Sequence, residues 1–408
     1  MQDPEQQIET VYRQSAPRIR AALIRLLGSF DLAEEALHDA FLEASRDWPT
    51  KGMPRNPVTW LVSAGRFRTI DRLRKRALLD RHQDDIAYLA DLAQQAEDEP
   101  VTIDDDMLRL IFTCCHPALP EEARIALALR EVCGLTTEEI ARAFLILPAT
   151  IAQRIVRAKA RIRDQRIPYV VPEGQELEGR LETVLAVIYL LFNEGHMRAG
   201  AAERLCEDAI HLGRLVVSML PDGEALGLLA LMLIHQSRRN ARLDQCGALV
   251  LLADQNRALW DAGMIAEGEG LLNRIHATGE IGAYGLQASI AACHARATSM
   301  AATDWRRIVG LYDLLLEASP TPVVRLNRAV ALAEVEGASA GLEQVETLLA
   351  DPLMQRYASA HSVAADLLRR LGRTEEARER YEAARDLTAQ AHEVAFIEAR
   401  LSALKASS

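Results

Sequence analysis

The sequence predicts an all-α protein: two small helical domains, the second a helix-turn-helix, joined by an acidic linker and followed by a C-terminal α-helical repeat domain. Three observations carry that expectation. Apolar residues recur at helical spacing almost everywhere, and strand-like alternation is nearly absent. Of 408 residues 49% are hydrophobic but only 5% aromatic, a balance resting on alanine and leucine, which favours helix. Near the C-terminus a pattern of small and apolar residues repeats after 35 positions, the mark of stacked helical pairs. A chain of this length buries several cores, so two or three domains are expected.

Residues 5–29 place Ile8, Val11, Tyr12, Ile19, Leu23, Leu26 and Leu27 on one helix face, and Gly28 ends the helix. Asp31 is placed to cap a second helix, 32–47. Its apolar stripe is Leu37, Ala40, Phe41 and Ala44, and its other side carries Glu34, Glu35, Asp39 and Glu43. Such a side is most often merely solvated; it also suits a basic partner. Residues 48–57 hold Pro49, Gly52, Pro54 and Pro57 and predict a loop. The third helix runs from Val58 through Trp60, Leu61, Ala64, Phe67, Ile70 and Leu73 to Arg76. Within 61–78 it has six basic side chains and one acid, Asp71. Arginines interleaved with aromatics suit an unpaired nucleic-acid strand, with phosphates on the cations and bases on the rings or in a loop pocket.

Residues 80–106 carry ten acids and one arginine and predict a solvated linker holding the flanking domains apart. Fully extended it reaches about 90 Å, enough to bridge DNA elements on the order of 50 Å apart. Bracing helices at 107–115 and 120–133 lead into residues 135–166. There Thr136 and Glu139 have capping-box spacing. Ile140, Ala143 and Phe144 share a face of the short helix, 145–147 make a break, and Pro148 suits the first turn of the next. On that helix Ile151, Ile155, Ala158 and Ile162 form the apolar stripe; Arg154, Arg157, Lys159, Arg161, Arg163 and Arg166 take much of the rest. A capped helix, a turn and a basic amphipathic helix is the pattern of a DNA reader.

Residues 167–174 predict a linker. The nearly all-apolar run 181–193 predicts a buried helix ending at 193–196, where Glu194 and His196 would flank a glycine stop or, less simply, line a site. Two helical pairs are expected over 173–283, chiefly within 201–276, and repeats over 284–405. Ala329, Leu332, Gly337 and Leu349 are matched by Ala364, Leu367, Gly372 and Ala384. The second copy, with Tyr381 filling the gap to the next unit, resembles a tetratricopeptide repeat. Residues 284–318 are a weaker copy, with Trp305, Ile308, Val309 and Tyr312 on its second helix, and 391–404 would cap the stack. Such an array either binds a segment of another protein or packs on its own N-terminal half.

Charge is divided unevenly. The whole chain is at −11, which taken alone argues against nucleic acid. Residues 1–79 and 107–170 together carry 23 Lys/Arg against 16 Asp/Glu, whereas 171–408 carry 23 against 32. Two basic lobes are thus separated by an acidic strap. The six cysteines show no CxxC spacing and fit reduced thiols of a cytoplasmic protein. Adjacent Cys114 and Cys115 followed by His116 make a poor zinc set, so buried thiols are expected and no metal or cofactor. No apolar run nears the roughly 20 residues that span a bilayer, so no membrane is expected.

Three stretches then carry a resemblance. Residues 31–41 (DLAEEALHDAF) look like the core-polymerase-binding helix of bacterial sigma-70 family factors. Residues 60–74 (WLVSAGRFRTIDRLR) resemble their promoter-melting helix, and 135–166 their −35-reading helix-turn-helix. With nothing further between the two lobes, the chain resembles the extracytoplasmic-function group, and its tail a subgroup with a tetratricopeptide-like extension. His38, Phe67 and Ala152 depart from the group's common residues. The resemblance implies core RNA polymerase and promoter DNA as partners, with 5–79 and 107–166 as the two sigma domains. It implies that Glu34, Leu37, Asp39 and Phe41 dock on polymerase. Arg66, Arg68, Arg72 and Arg74 would hold the opened −10 strand. Thr150, Ile151, Gln153, Arg154 and Arg157 would face the −35 groove, with Arg161 on phosphate. The extension would then regulate, through an intramolecular or a protein partner. The alternative is a helix-turn-helix regulator with a repeat-built sensor and no need of polymerase, which leaves 31–41 and 60–74 without a task. A helical scaffold ranks below both, and no enzyme motif is present: no phosphate loop, nucleophile elbow or ligand set.

Overall fold

The computed structural model describes residues 4–77, 103–144, 146–197, 203–244, 250–388 and 391–406. The regular elements among them are α-helices and three single-turn 3-10 segments, in agreement with the all-α expectation. Contacts divide the chain into two compact units, Met1–Leu215 and Val216–Ser408. Among the described residues, no helix is long and apolar enough to cross a membrane.

The first unit begins with three helices, α1 (Pro4–Leu27), α2 (Phe30–Lys51) and α3 (Pro57–Ala77). Val11, Ile19, Leu23, Leu26 and Leu27 are buried as the periodicity requires, and Tyr12 stands half exposed, edge-on to Phe41 at 5.0 Å. Ser29, not Asp31, caps α2: its hydroxyl accepts the Leu32 N–H at 3.4 Å. Asp31 falls inside the first turn, where a carboxylate still favours the helix dipole. α2 also outruns the predicted loop. Pro49 lies in its last turn, where it gives up one hydrogen bond to the preceding turn but leaves little helix beyond it to disrupt, and Gly52 (φ 81°) makes the reversal. The loop shrinks to 52–56.

The second lobe comprises α4 (Ile103–Cys114), α5 (Glu121–Glu131), α6 (Thr137–Phe144) and α7 (Pro148–Asp164); α8 (Gln175–Met197) and α9 (Glu203–Met219) follow. The linker expectation is corrected at its end, because 103–106 are helical and Asp106 is buried against Arg25 of α1. Residues 80–102 of that linker lie outside the described residues. The expected stop at 193–196 is absent: α8 continues to Met197, with Gly195 buried and the His196 ring stacked on Phe192 at 5.3 Å.

The two lobes are docked and not held apart. Besides the Arg25–Asp106 pair, Arg20 of α1 lies 2.9 Å from Glu34 of α2 and 4.0 Å from Glu131 of α5. Lys159 of α7 bonds Glu131 at 2.9 Å and sits 5.2 Å over the Phe30 ring, which meets Tyr169 edge-on at 5.8 Å. Arg18 ties α1 to Asp208 of α9 at 2.7 Å. Sequence alone offered no partner for these charges, since Arg25 and Asp106 are 81 positions apart.

In the second unit α10 (Gly223–Gln236) is buried on all sides, as its unbroken apolar run requires. A Cβ on Gly227 would come within 2.4 Å of the Gly285 nitrogen, so α10 and α12 (Ala283–Arg296) meet backbone to backbone. The expected helical pairs over 201–276 reduce to α9, α10 and α11 (Ala262–Thr278). The described residues of 237–261 form no α-helix: Asn240, Asp244, Asp254 and Asn256 break the apolar period and favour turns. Repeats then follow in pairs: α12 with α13 (Trp305–Ala318), α14 (Pro322–Glu336) with α15 (Ala338–Leu349), and α16 (Ala358–Arg370) with α17 (Thr374–Leu387). α18 (Ala391–Ala406) closes the stack. The matched glycines make matched turns, Gly337 at φ 97° and Gly372 at φ 76°. Tyr381 is fully buried in one core with Ile397 and Leu401.

His294 of α12 illustrates the electrostatics of this unit. Burial, and then the charges of Arg238 and Arg257, push its pKa from 6.5 down to about 4. The unfolded chain takes up a proton there below about pH 6.5 while the folded chain resists. This share of stability is therefore full above pH 6.5 and lost as pH falls towards 4. Denaturant midpoints measured from pH 7.5 to 4 are expected to fall more steeply for the wild type than for His294→Gln.

Candidate nucleic-acid interface

The helix-turn-helix is built as its residue types dictate. Thr136 Oγ1 accepts the Glu139 N–H at 3.2 Å, and Glu139 Oε2 accepts the Thr136 N–H at 2.8 Å, a complete capping box. Ile140, Ile151, Ile155, Ala158 and Ile162 are buried and seat α7 in the lobe. Thr150, Gln153, Arg157 and Arg161 are exposed along the outer side of α7. Arg154 is half-buried and bonds Glu122 of α5 at 2.6 Å. Ile151, expected at a groove, is 0% exposed; its place on the apolar stripe makes it a packing residue, which corrects that expectation. Sequence reasoning passed over Leu147 and Val156, which are 72% and 65% exposed. Both are apolar residues lying off the stripe, and that was the available signal. Such methyl groups suit contact with thymine methyls in a major groove.

α3 presents a second surface. Trp60, Ala64, Arg66, Phe67, Arg68 and Ile70 line, with Glu43 and Asp47 of α2, an open groove of about 690 Å³. Phe67 is 75% exposed among the arginines, a stacking platform beside cations. Trp60 is held edge-on to buried Trp48 at 5.6 Å. Arg66 is half-buried. Arg68 is paired with Glu43 at 2.6 Å, and Arg72 with Glu35 at 2.9 Å and Asp39 at 3.2 Å. The Arg74 side chain lies outside the described residues. The acids of α2 thus hold the arginines of α3 in place.

On the far side of α2, Glu34, Leu37 and Phe41 line an open groove of about 490 Å³ with Tyr12, Asp31, Glu35 and His38. Leu37 is only 2% exposed, so it forms the floor and packs the lobe; the outward residues are Asp31, Glu34, Glu35 and His38. Asp39 is not among these lining residues and faces Arg72. Cys114 and Cys115 are buried at the end of α4. Desolvation drives both thiols up, Cys115 to about 12, which leaves them protonated and poor metal ligands. His116 turns its Nδ1 to the Ala118 N–H at 3.1 Å.

Comparison with known proteins meets this geometry on both lobes. Residues 11–78 match sigma-70 region 2 and residues 109–162 match sigma-70 region 4, while 180–276 match a family of unknown function (DUF6596). An uncharacterized protein of Rhizobium meliloti (strain 1021) is 41% identical over 404 residues, covering 96% of this chain and 94% of its own. The RNA polymerase sigma factor CarQ of Myxococcus xanthus is 27% identical over 156 residues, 38% of this chain and 87% of its own. The crystal structure of yeast Tom70 aligns with 98% of this chain and 84% of its own at 12% identity and a TM-score of 0.40. Two sigma-70 regions, in order, fall on the lobe with the aromatic-arginine groove and on the lobe with the capped helix-turn-helix: the chain belongs to the sigma-70 family.

Proposed function

We propose that the chain directs core RNA polymerase to particular promoters in the cytoplasm and takes part in opening them. The observation that carries this is the pairing, on one unit, of an outward recognition helix with an aromatic-arginine groove; a binder of closed duplex alone has no use for the groove. In this reading residues 5–79 dock on polymerase through Glu34, Phe41 and the groove beside them, with Asp39 holding Arg72 in readiness. Arg66, Arg68, Arg72 and Arg74 hold the melted −10 strand while Phe67 stacks a base. Residues 107–166 read the −35 element through Thr150, Gln153, Arg154 and Arg157, with Arg161 on phosphate. The helical repeats regulate this activity. Run-off transcription with purified core polymerase tests it. A chain ending at Pro221 that works as well as the whole would remove the regulatory role, and no stimulation by either chain would remove the proposal.

The division of labour is separately testable. Arg157→Ala is expected to lose discrimination among −35 sequences by about 1–3 kcal/mol per contacted base pair. Arg72→Ala is expected to weaken all promoters alike and flatten the dependence of binding on salt. Promoter-panel binding across salt concentrations separates the two; identical behaviour of both variants would refute the assignment.

A further inference from the structure

Three deeply set arginines of the first unit have carboxylate partners: Arg20 has Glu34, Arg25 has Asp106, and Arg180 has Glu176. Arg238 and Arg257 of the second unit, near the two ends of the segment 237–261, have no such partner among the described residues. Arg238 and Arg257 lie against opposite ends of that segment, with guanidinium carbons 5.8 Å and 4.7 Å from the centre of the Trp260 ring. Arg238 has His235 Nδ1 at 2.7 Å, and Arg257 donates to the carbonyls of His294 and, at 2.7 Å, Ala297. No carboxylate among the described residues forms an ion pair with either, and residues 245–249 contain no Asp or Glu. Four nitrogens of the cluster are buried without a hydrogen-bond partner: Arg238 Nε, Arg257 Nη2, Trp260 Nε1 and His294 Nδ1. Trp260 is itself only 7% exposed.

Two half-buried guanidinium groups with no counter-charge among the described residues, beside a buried indole N–H with no acceptor, are costly as they stand. The strain registers in Arg238, whose pKa falls to about 10 through burial and then the charges of Arg242 and Arg257. A doubly charged oxyanion is the ligand class that answers such a set of donors. It supplies acceptors for the planar arginine donors and for the indole, and it cancels both charges. We propose that Arg238, Arg257 and Trp260 form a binding site for a phosphate-class oxyanion, either inorganic phosphate or the phosphoryl group of a small metabolite. The site lies close to the surface: Arg257 is half-buried and its neighbours Asn256, Ala258 and Leu259 are exposed. It belongs to the second unit and does not depend on the transcriptional reading.

The test is thermal unfolding of the full chain at fixed ionic strength, titrating sodium phosphate against sodium chloride. A saturable, phosphate-specific rise in Tm at millimolar concentration or below is expected. Trp260→Phe keeps the ring and removes one donor, and Arg238→Gln removes one charge. Each is expected to weaken phosphate at least tenfold, whereas Arg157→Ala on α7 leaves the shift intact. A parallel titration with glycerol 3-phosphate distinguishes the sources: a tighter apparent Kd identifies a phosphoryl-bearing metabolite, and an equal or weaker one identifies the free ion. The proposal is overturned if phosphate does no more than chloride. It is equally overturned if the rise persists at full affinity in both Trp260→Phe and Arg238→Gln, or is lost in Arg157→Ala.

Discussion

Arg25→Ala is expected to destabilise the first unit by about 3–5 kcal/mol, the usual cost of leaving one member of a buried ion pair without the other. The Arg25 side chain is 8% exposed and that of Asp106 only 1%, so water does little to compensate the carboxylate for the loss of this cation. Because α1 carries Arg25 and α4 carries Asp106, the damage falls on the contact between the lobes as well as on either lobe's core. Guanidinium unfolding followed by circular dichroism measures the loss. The double variant Arg25→Met with Asp106→Leu is expected to recover most of it, since apolar replacement of both partners removes the desolvation cost. A loss under 1 kcal/mol in Arg25→Ala would show that the lobes do not rest on this pair.

Gly65→Val carries the second large effect, and it reaches function. A Cβ at Gly65 would stand 2.6 Å from the Ala36 carbonyl oxygen and 3.4 Å from the Ala40 Cβ. The obstacle is largely α2 backbone, which has no rotamer to change, so α3 must lift away. Overpacking of this kind costs about 1–3 kcal/mol, and the branched Cβ of valine worsens it. Lifting α3 separates Arg68 from Glu43 and Arg72 from Glu35 and Asp39, and it deforms the groove that holds Trp60 and Phe67. Permanganate footprinting with core polymerase is expected to show loss of strand opening. Duplex binding through α7 survives, because α7 seats on the other lobe. Equal loss of both would contradict the separation of the two surfaces.

Much of this was legible because local chemistry decided it. The Thr136–Glu139 box, the isoleucine stripe of α7, the apolar run of α10 and the matched turns at Gly337 and Gly372 each depend on residues within one or two helical turns. Where sequence reasoning slipped, two local rules competed or a distant partner intervened. Ser29 and Asp31 are both capping residues, and only the chain's path selects the former. Proline content marked 48–57 as loop, although Pro49 is tolerated in a final turn. Ile151 and Leu37 already sat on apolar stripes, so their burial followed from periodicity, which family likeness had overruled. Asp106 looked like one more acid in a solvated strap, since nothing nearby in sequence announced Arg25.

Four side chains of alternating charge run from α2 to α7. Glu34 in the open groove of α2, Arg20, Glu131 and Lys159 on α7 succeed one another at 2.9, 4.0 and 2.9 Å. A partner that draws Glu34 away frees Arg20 to turn wholly to Glu131, which weakens the pull of Glu131 on Lys159. Thermodynamics makes such a relay symmetrical: whatever factor one visitor imposes on the affinity of the other is returned in full. In the proposed function, polymerase bound at Glu34 and DNA bound along α7 would be coupled through these four side chains.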